Sequence, residues 1–245
     1  MGRITDAVKH LIILNVIFFA ASTLLGLNLS NWLALYFPKN EHFGLWQFVS
    51  HMFMHGGFTH ILFNMYALWA FGSPLEQMWG RNKFIFFYFS AGIGAGLIYT
   101  AVNYFQFNNI FNELINAGLA SNEIQNLLET GRYNTDILSH ISEKRLTDLY
   151  QIYNTPAVGA SGAIYGVLVA FGMSFPNAKL ALIFLPVPIA AKYFIPVLIA
   201  LDLFSGLTGF SLFGGGIAHF AHVGGAIIGF IMMKYWEKNQ FKRWN

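Results

Sequence analysis

The chain has 245 residues, of which 10% are charged and 56% are hydrophobic, and its mean hydropathy is +0.50. A soluble domain usually carries about a quarter charged residues. The apolar content exceeds what one globular core of this size can bury, which excludes a soluble enzyme, a disordered chain and a coiled coil. The chain contains no cysteine, so neither disulfides nor thiolate chemistry are expected.

Apolar runs long enough to cross a bilayer recur along the chain, and they lack the alternation of membrane strands. We therefore predict an all-α polytopic membrane protein in which helices, not strands, satisfy the backbone hydrogen bonds in lipid. Residues 1–245 are expected to form a single membrane domain. The six predicted spans are residues 10–28, 58–75, 84–105, 157–175, 193–209 and 217–236.

The positions of the basic residues predict the orientation of the spans. With a cytoplasmic N-terminus, only Lys39 falls in a short outer segment, whereas ten basic residues fall in short cytoplasmic segments. This distribution predicts that both termini are cytoplasmic, and it explains the net charge of +3 without a nucleic-acid partner. The ten residues are Arg3, Lys9, Arg81, Lys83, Lys179, Lys192, Lys234, Lys238, Lys242 and Arg243.

Several connections between the predicted spans have unusual compositions. Residues 28–57 are rich in aromatic side chains, which is typical of a loop lying in the membrane interface. Residues 106–155 carry six acidic and three basic residues, so we predict a polar extracytoplasmic insertion of one to three amphipathic helices. Residues 180–191 contain two prolines and predict an embedded loop instead of a helix. The glycines at 214–216 are expected to make a pliable outer loop that could cap the site.

A serine lies among small residues at the start of the fourth span, where residues 159–166 read GASGAIYG. One interpretation is helix packing, in which Ser161 bonds to a carbonyl one turn earlier. The nucleophile elbow of soluble hydrolases requires glycine two residues after the serine, and Ala163 occupies that position. The segment is therefore not a nucleophile elbow. Whether Ser161 is a nucleophile depends on which other polar groups lie close to it.

A histidine begins the last span, on the face that also carries Gly225 and Gly229. These two glycines let another helix approach closely. His222 lies one helical turn before Gly225 and so shares that face. A neutral histidine against a serine-bearing helix supplies a general base for a nucleophile. A satisfied structural histidine is the alternative.

His60 and Asn64 are four residues apart on the second span and therefore share one helix face. Two side-chain donors converging near a nucleophile would form an oxyanion hole.

A metal site is the competing interpretation, but the sequence contains no HExxH motif. Moreover, we expect no intramembrane carboxylate near the histidines, since Glu76 and Asp202 fall elsewhere in their spans, so no metal is predicted. The candidate ligands would be His51, His55, His60, His219 and His222.

The predicted topology brings these groups to a single depth in the membrane. The second, fourth and sixth spans all run inward from the outer surface. His60, Asn64, Ser161 and His222 all lie near the outer ends of those spans. Helix packing alone does not explain why three separate motifs agree in depth and side.

Together these motifs resemble the rhomboid family of intramembrane serine proteases. The match comprises residues 55–64, which read HGGFTHILFN, residues 159–166, and His222 followed by Gly225 and Gly229. It covers nearly all of the six-helix body but not the insertion. The resemblance implies a rhomboid-like bundle of six transmembrane helices with a membrane-interface loop between the first two.

The resemblance also implies the roles of individual residues. Ser161 would be the nucleophile and His222 the general base of a dyad, with no aspartate orienting the imidazole. His60, Asn64 and the backbone N–H of Ser161 would bind the oxyanion.

Further residues match positions that support this site in the family. Tyr165 resembles the residue on which the histidine ring packs, and His55 would support the interface loop. Gly159 and Gly162 belong to the matched serine motif. One departure is Trp46-Gln47, where the family often has Trp-Arg, and it bears on how the loop is anchored.

The activity implied is hydrolysis of single-span membrane proteins near the outer face, without a cofactor. The expected location is a prokaryotic plasma (inner) membrane, with the lipid bilayer as surroundings and the site facing outward.

One alternative function is that of a catalytically silent relative that binds membrane helices. Another is a metal or ion transporter based on the histidines, although no internal repeat supports a transporter. The insertion is expected to contribute no residue to the chemistry.

Overall fold

The computed structural model describes residues 3–182, 185–210 and 218–240. The predicted glycine cap at 214–216 lies outside these described residues. Two short strands, β1 (Lys179–Leu182) and β2 (Leu185–Ala190), pair antiparallel. The helices are α1 (Asp6–Leu24), α2 (Ser30–Leu33), α3 (Gln47–Ser50), α4 (Phe58–Ala67), α5 (Ser73–Trp79), α6 (Arg81–Asn116), α7 (Ser121–Thr130), α8 (Glu143–Asn154), α9 (Ser161–Ser174), α10 (Ala191–Thr208) and α11 (His219–Gln240).

The prediction of an all-α membrane protein is confirmed. Three of the described helices, α1, α6 and α10, are long and apolar enough to cross a membrane. Helix α9 is apolar but has only 14 residues. The count of six spans therefore stays a prediction.

Helix α6 is much longer than the span predicted at 84–105. Its 36 residues rise about 54 Å, whereas a bilayer core is about 30 Å thick. Neither glycine nor proline interrupts the helix after residue 105. Its extension stays helical because Phe107, Ile110 and Leu114, at helical spacing, are buried against α7 and α8.

The second predicted span is one continuous helical segment with a widened turn. Residues Leu68–Gly72 form a π-helical turn between α4 and α5. Pro74 follows at the start of α5 and has no N–H to donate to a preceding carbonyl. Widened turns of this kind let a helix continue past such a local disruption.

Helix α9 is held tightly between α6 and α11 by residues without bulky side chains. A Cβ atom on Gly225 would overlap the carbonyl oxygen of Gly162, and one on Gly229 would lie 2.7 Å from the Cα of Gly166. On the other side, a Cβ on Gly162 would lie 2.6 Å from the Cβ of Ala95. This close approach of backbones sets the first turn of α9 against the first turn of α11.

The insertion has a small hydrophobic core, formed by α7, α8, the segment between them and the C-terminal part of α6, together with Phe37 of the interface loop. It also contacts the loop that precedes α3, since Asn40 donates to the Tyr153 carbonyl (2.8 Å) and the Tyr153 hydroxyl donates to the Lys39 carbonyl (3.1 Å). The buried core residues are Phe37, Phe107, Ile110, Leu114, Ile124, Leu127, Leu128, Ile137, Ile141, Leu146 and Leu149.

The segment predicted as an embedded loop at 180–191 forms most of a β-hairpin. Lys179 pairs with Ala190, and Leu182 pairs with Leu185. The prolines do exclude a helix here, as predicted, because each lacks an N–H. An alternation-based prediction misses the strands because the segment is apolar on both faces.

Candidate active site

Ser161 is the first residue of α9, and Ala160 is its N-cap. The N–H of Ile164 donates to the Ala160 carbonyl at 3.0 Å and closes the first turn of the helix. The N–H groups of Ser161 and the next two residues therefore have no carbonyl partner within the helix. This helix end carries partial positive charge, so it favours a negative charge that develops beside Ser161.

His222 contacts Ser161 directly. Its Nε2 lies 2.8 Å from the Ser161 Oγ, within hydrogen-bond distance. The imidazole stacks on the Tyr165 ring, with centroids 4.3 Å apart and planes within 11°. The serine hydroxyl can therefore donate to an imidazole whose plane is fixed by an aromatic neighbour.

The expectation that no aspartate contacts the imidazole is wrong. Asp202 of α10 places its Oδ1 3.1 Å from the Nδ1 of His222 and 2.5 Å from the Nδ1 of His219. The Tyr165 hydroxyl donates to the other carboxylate oxygen, Oδ2. Spacing along the chain gave no sign of this contact, since 20 residues separate Asp202 from His222.

A general signal for Asp202 was nevertheless available. Charged side chains inside membrane helices are costly, so they usually have a partner and a function. Glu76, the other carboxylate assigned to a span, has its partners at the N-terminus of α1. It accepts from the N–H groups of Ala7 (2.8 Å) and Val8 (3.0 Å) and from the Thr5 hydroxyl. The cost of a charge inside the membrane therefore predicts that Asp202, like Glu76, has polar partners.

His60 and Asn64 converge on Gly159, two residues before Ser161. An added Cβ on Gly159 would lie 2.8 Å from the Nε2 of His60 and 3.6 Å from the Nδ2 of Asn64. The Gly159 φ is +121°, which favours glycine, and its N–H donates to the His51 carbonyl at 2.9 Å. The Asn64 Nδ2 is buried and has no hydrogen-bond partner among the described residues.

His55 contacts His60 and lies just before α4. The two rings meet edge to face, with centroids 5.0 Å apart. Burial, together with the neighbouring His60, lowers the pKa of His55 to about 3, so the ring is neutral near pH 7. The structure thus places His55 behind His60, whereas the resemblance implied support of the interface loop.

Gln47 anchors the interface loop at the position where the family often has arginine. The side chain is fully buried. Its Oε1 accepts from the Tyr36 N–H (3.1 Å), and its Nε2 donates to the carbonyls of His42 (2.7 Å) and Trp32 (3.3 Å). The amide therefore ties three backbone positions of the loop together without a charge.

The interface loop is also joined to residues 155–160, the serine segment, which connects α8 to Ser161. Leu35 and Ala157 exchange two backbone hydrogen bonds, each 2.9 Å long. Since Ala157 lies four residues before Ser161, this bridge fixes the approach of the chain to the nucleophile.

The structure divides the five candidate metal-binding histidines into two groups. His51, His55 and His60 lie on the Gly159 side, while His219 and His222 lie at Asp202. Within the described ranges, only Asp202, His219 and His222 bring three potential ligand atoms within 4.8 Å of one another. The expectation that no intramembrane carboxylate lies near the histidines is therefore wrong, although the carboxylate and the two imidazoles also satisfy one another by hydrogen bonding.

The chain is similar to known rhomboid proteins. Residues 42–238 match the model of the Rhomboid domain. The "Presenilin-associated rhomboid-like protein, mitochondrial" of Bos taurus is 30% identical over 184 residues, covering 75% of this chain and 36% of the relative. "Rhomboid protein 1, mitochondrial" of Saccharomyces cerevisiae is 27% identical, covering 76% and 40%. "Rhomboid protease AarA" of Providencia stuartii is 27% identical, covering 75% and 53%.

These comparisons bear on location as well as family. The chain spans between about a third and a half of the length of these curated relatives. An integral membrane protein is supported by both the match and the apolar helices. The predicted prokaryotic plasma membrane is not supported, because two of the three relatives are mitochondrial by name.

Proposed function

The chain belongs to the Rhomboid family, and from this premise we propose that it is an intramembrane serine endopeptidase. The observation that carries the proposal is the 2.8 Å contact between the Ser161 Oγ and the His222 Nε2 at the N-terminus of α9. Nucleophile and base are within hydrogen-bond reach, as acyl transfer requires.

The proposed reaction proceeds in two half-reactions. The Ser161 Oγ attacks the scissile carbonyl carbon while His222 Nε2 takes the hydroxyl proton. Collapse of the tetrahedral intermediate breaks the C–N bond, and His222 returns the proton to the leaving amine. Water, activated by His222, then hydrolyses the acyl-enzyme and regenerates Ser161.

The developing oxyanion is proposed to bind between the helix end and two side chains. The backbone N–H of Ser161 is free of intrahelical bonding, and the Asn64 amide is buried without a partner among the described residues. His60 lies on the same side, next to Gly159. Donors held in place before the reaction stabilise the transition state without reorganisation.

The substrate proposed is a single-span membrane protein cut near the outer face. In lipid every amide of a helix is internally bonded, and exposing one costs several kcal/mol. A substrate must therefore unwind locally, which glycine and proline favour by about 1 and 3 kcal/mol relative to alanine. The small residues around Ser161 favour a small side chain at the cleaved bond.

The orientation proposed places both termini in the cytoplasm and the site toward the outer aqueous side. The ten-to-one distribution of basic residues over short segments supports this arrangement. Water can reach a site near the outer surface, as hydrolysis requires.

A catalytically silent relative that binds membrane helices is the alternative of a different class. Binding a membrane helix does not require the Ser161 hydroxyl to lie 2.8 Å from the Nε2 of His222. The retained pair therefore supports the protease.

The test is cleavage of a single-span substrate in proteoliposomes. We expect wild type to cut after a small residue near the membrane boundary, with the bond mapped by mass spectrometry. Ser161→Ala should be inactive, and leucine in place of the substrate's helix-breaking residues should slow cleavage. Equal cleavage by wild type and Ser161→Ala would contradict the proposed function.

A further inference from the structure

We propose that Asp202 is a positioning residue that orients the imidazole of His222 and balances its positive charge during the reaction. The chain would thus use a serine, a histidine and an aspartate, in place of the dyad that its family resemblance implies. This inference rests on the proposed protease function and concerns the same site.

The placement of the Asp202 carboxylate first requires an explanation. Its side chain is only 9% exposed within apolar helices, where an unpaired charge is costly. Three donors surround it: the Nδ1 atoms of His219 and His222 on Oδ1 and the Tyr165 hydroxyl on Oδ2. These contacts satisfy both oxygens, so the carboxylate can remain ionised beside the base.

The contact between Asp202 and His222 determines which nitrogen of the imidazole is free. An ionised carboxylate accepts hydrogen bonds only, so Nδ1 of His222 must carry a proton at 3.1 Å from Oδ1. In the neutral ring Nε2 is then unprotonated, and this atom lies 2.8 Å from the Ser161 Oγ. Asp202 therefore selects the tautomer that can accept the serine proton.

The other two contacts hold Asp202 in place. His219 lies one turn before His222 on α11, and its Nδ1 is 2.5 Å from the same Oδ1. Tyr165 stacks its ring on His222 and donates its hydroxyl to Oδ2, so one side chain fixes both the base and the carboxylate. A carboxylate that served only to join α10 to α11 would not need a contact with the face of α9 that carries the nucleophile.

The first test compares Asp202→Asn with Ser205→Ala, a control that is equally buried one turn further along α10. An asparagine of the same size can donate to Nδ1 and so favours the wrong tautomer. We expect kcat for substrate cleavage to fall roughly 10²- to 10⁴-fold with little change in KM, whereas Ser205→Ala stays near wild type. Tyr165→Phe keeps the stacked ring, and we expect a smaller, roughly tenfold loss of kcat.

The second test is ¹⁵N NMR of histidine-labelled protein, which reads the tautomer of His222 directly. In the neutral ring we expect Nδ1 to be protonated and Nε2 unprotonated in wild type, and the reverse in Asp202→Asn. The spectra are recorded over a range of pH, because four titratable groups lie around this ring: Asp202, His219 and Tyr165 in its hydrogen-bond network, and His60 beside Gly159. This measurement decides the question even if Asp202→Asn folds poorly.

The outcomes separate the inference from the function on which it rests. If wild type cleaves substrate and Asp202→Asn is equally active, or if wild-type His222 is protonated at Nε2, the positioning role is overturned and the protease remains. If wild type cleaves nothing and a serine-reactive probe does not label it, the proposed function itself fails.

Discussion

At the scale of single residues, the Asn64 amide is a buried hydrogen-bond donor whose acceptor is not among the described residues. Its Nδ2 is buried and faces Gly159. Loss of one donor from a preorganised oxyanion hole costs roughly 10² to 10³ in rate. We expect Asn64→Ala to lower kcat by that factor in a cleavage assay.

The matched control for Asn64 is Asn15→Ala on α1. Asn15 is also buried, but its Nδ2 donates to the Leu11 carbonyl of its own helix at 2.8 Å. It is expected to keep near-normal kcat. Full activity in Asn64→Ala would show that the oxyanion is bound by other groups.

The proximity of Asp202, His219 and His222 makes metal dependence a measurable question. We expect a strong chelator to leave the rate of substrate cleavage unchanged, because the Nδ1 of His222 is occupied by its hydrogen bond to Asp202. The measurement is cleavage before and after chelator treatment and after adding back Zn²⁺. Activity lost to chelator and restored by zinc would favour the metal interpretation.

The residues of the site were not equally predictable. Ser161, His222, His60 and Asn64 lie in local patterns that a sequence displays, and the structure brings them together around Gly159 and the start of α9. The contact of Asp202 depends on how α10 packs against α11, which no spacing along one chain reveals. Its cost inside the membrane was the available signal.

At the scale of elements, the packing of α9 against α11 depends on glycine. A Cβ on Gly225 would overlap the Gly162 carbonyl oxygen, so backbone must move to make room. We expect Gly225→Ala to lower the free energy of unfolding by about 3 kcal/mol and to separate Ser161 from His222. Denaturant unfolding and labelling of Ser161 measure the two effects.

Gly57→Ala is the steric control for this substitution. Gly57 has an extended φ of 174°, and an added Cβ would meet nothing within 4 Å. Its stability should stay close to wild type. If both alanine variants unfold alike, close backbone approach is not what holds α9 to α11.

Element boundaries show where a sequence prediction of spans fails. Hydropathy located the helices, but α6 continues to Asn116 because its extension packs on the amphipathic helices α7 and α8. The β1–β2 pairing was missed because an apolar run with prolines fits a loop or a strand equally well. The sequence signal for the widened turn at Leu68–Gly72 is Pro74, which the hydropathy of the span does not register.

At the scale of the whole molecule, two buried histidines outside the spanning helices couple stability to pH. Burial lowers the pKa of His51 from 6.5 to about 4 and that of His55 to about 3. Between these values and 6.5 the unfolded chain binds more protons than the folded one, so stability falls as pH falls. For His51, the decrease in the free energy of unfolding reaches about 3 kcal/mol near pH 4.

Thermal unfolding at pH 7.5 and pH 4.5 measures this coupling. We expect a lower midpoint at pH 4.5, and a smaller difference in His51→Asn, which can still donate to the Gln47 carbonyl bonded by His51 at 2.7 Å. His140→Asn replaces an exposed histidine of the insertion and should keep the wild-type difference. An unchanged pH dependence in His51→Asn would refute the assignment.

The interface loop, the insertion and the serine segment form one connected unit around the site. The loop is bonded to α8 through Asn40 and to the serine segment through Leu35 and Ala157. The family resemblance covered the loop and the serine but not the insertion. The contacts between the insertion and the interface loop could therefore not be predicted from the motifs.

The most direct test of the proposed nucleophile is reaction of the detergent-solubilised protein with a fluorophosphonate, followed by mass-spectrometric location of the adduct. We predict one adduct, on the Oγ of Ser161, and strongly reduced labelling in His222→Ala, because Nε2 of His222 accepts the hydroxyl proton. Labelled protein should no longer cleave substrate. An adduct elsewhere, or full cleavage by protein labelled at Ser161, would contradict the assignment of Ser161 and His222 as nucleophile and base.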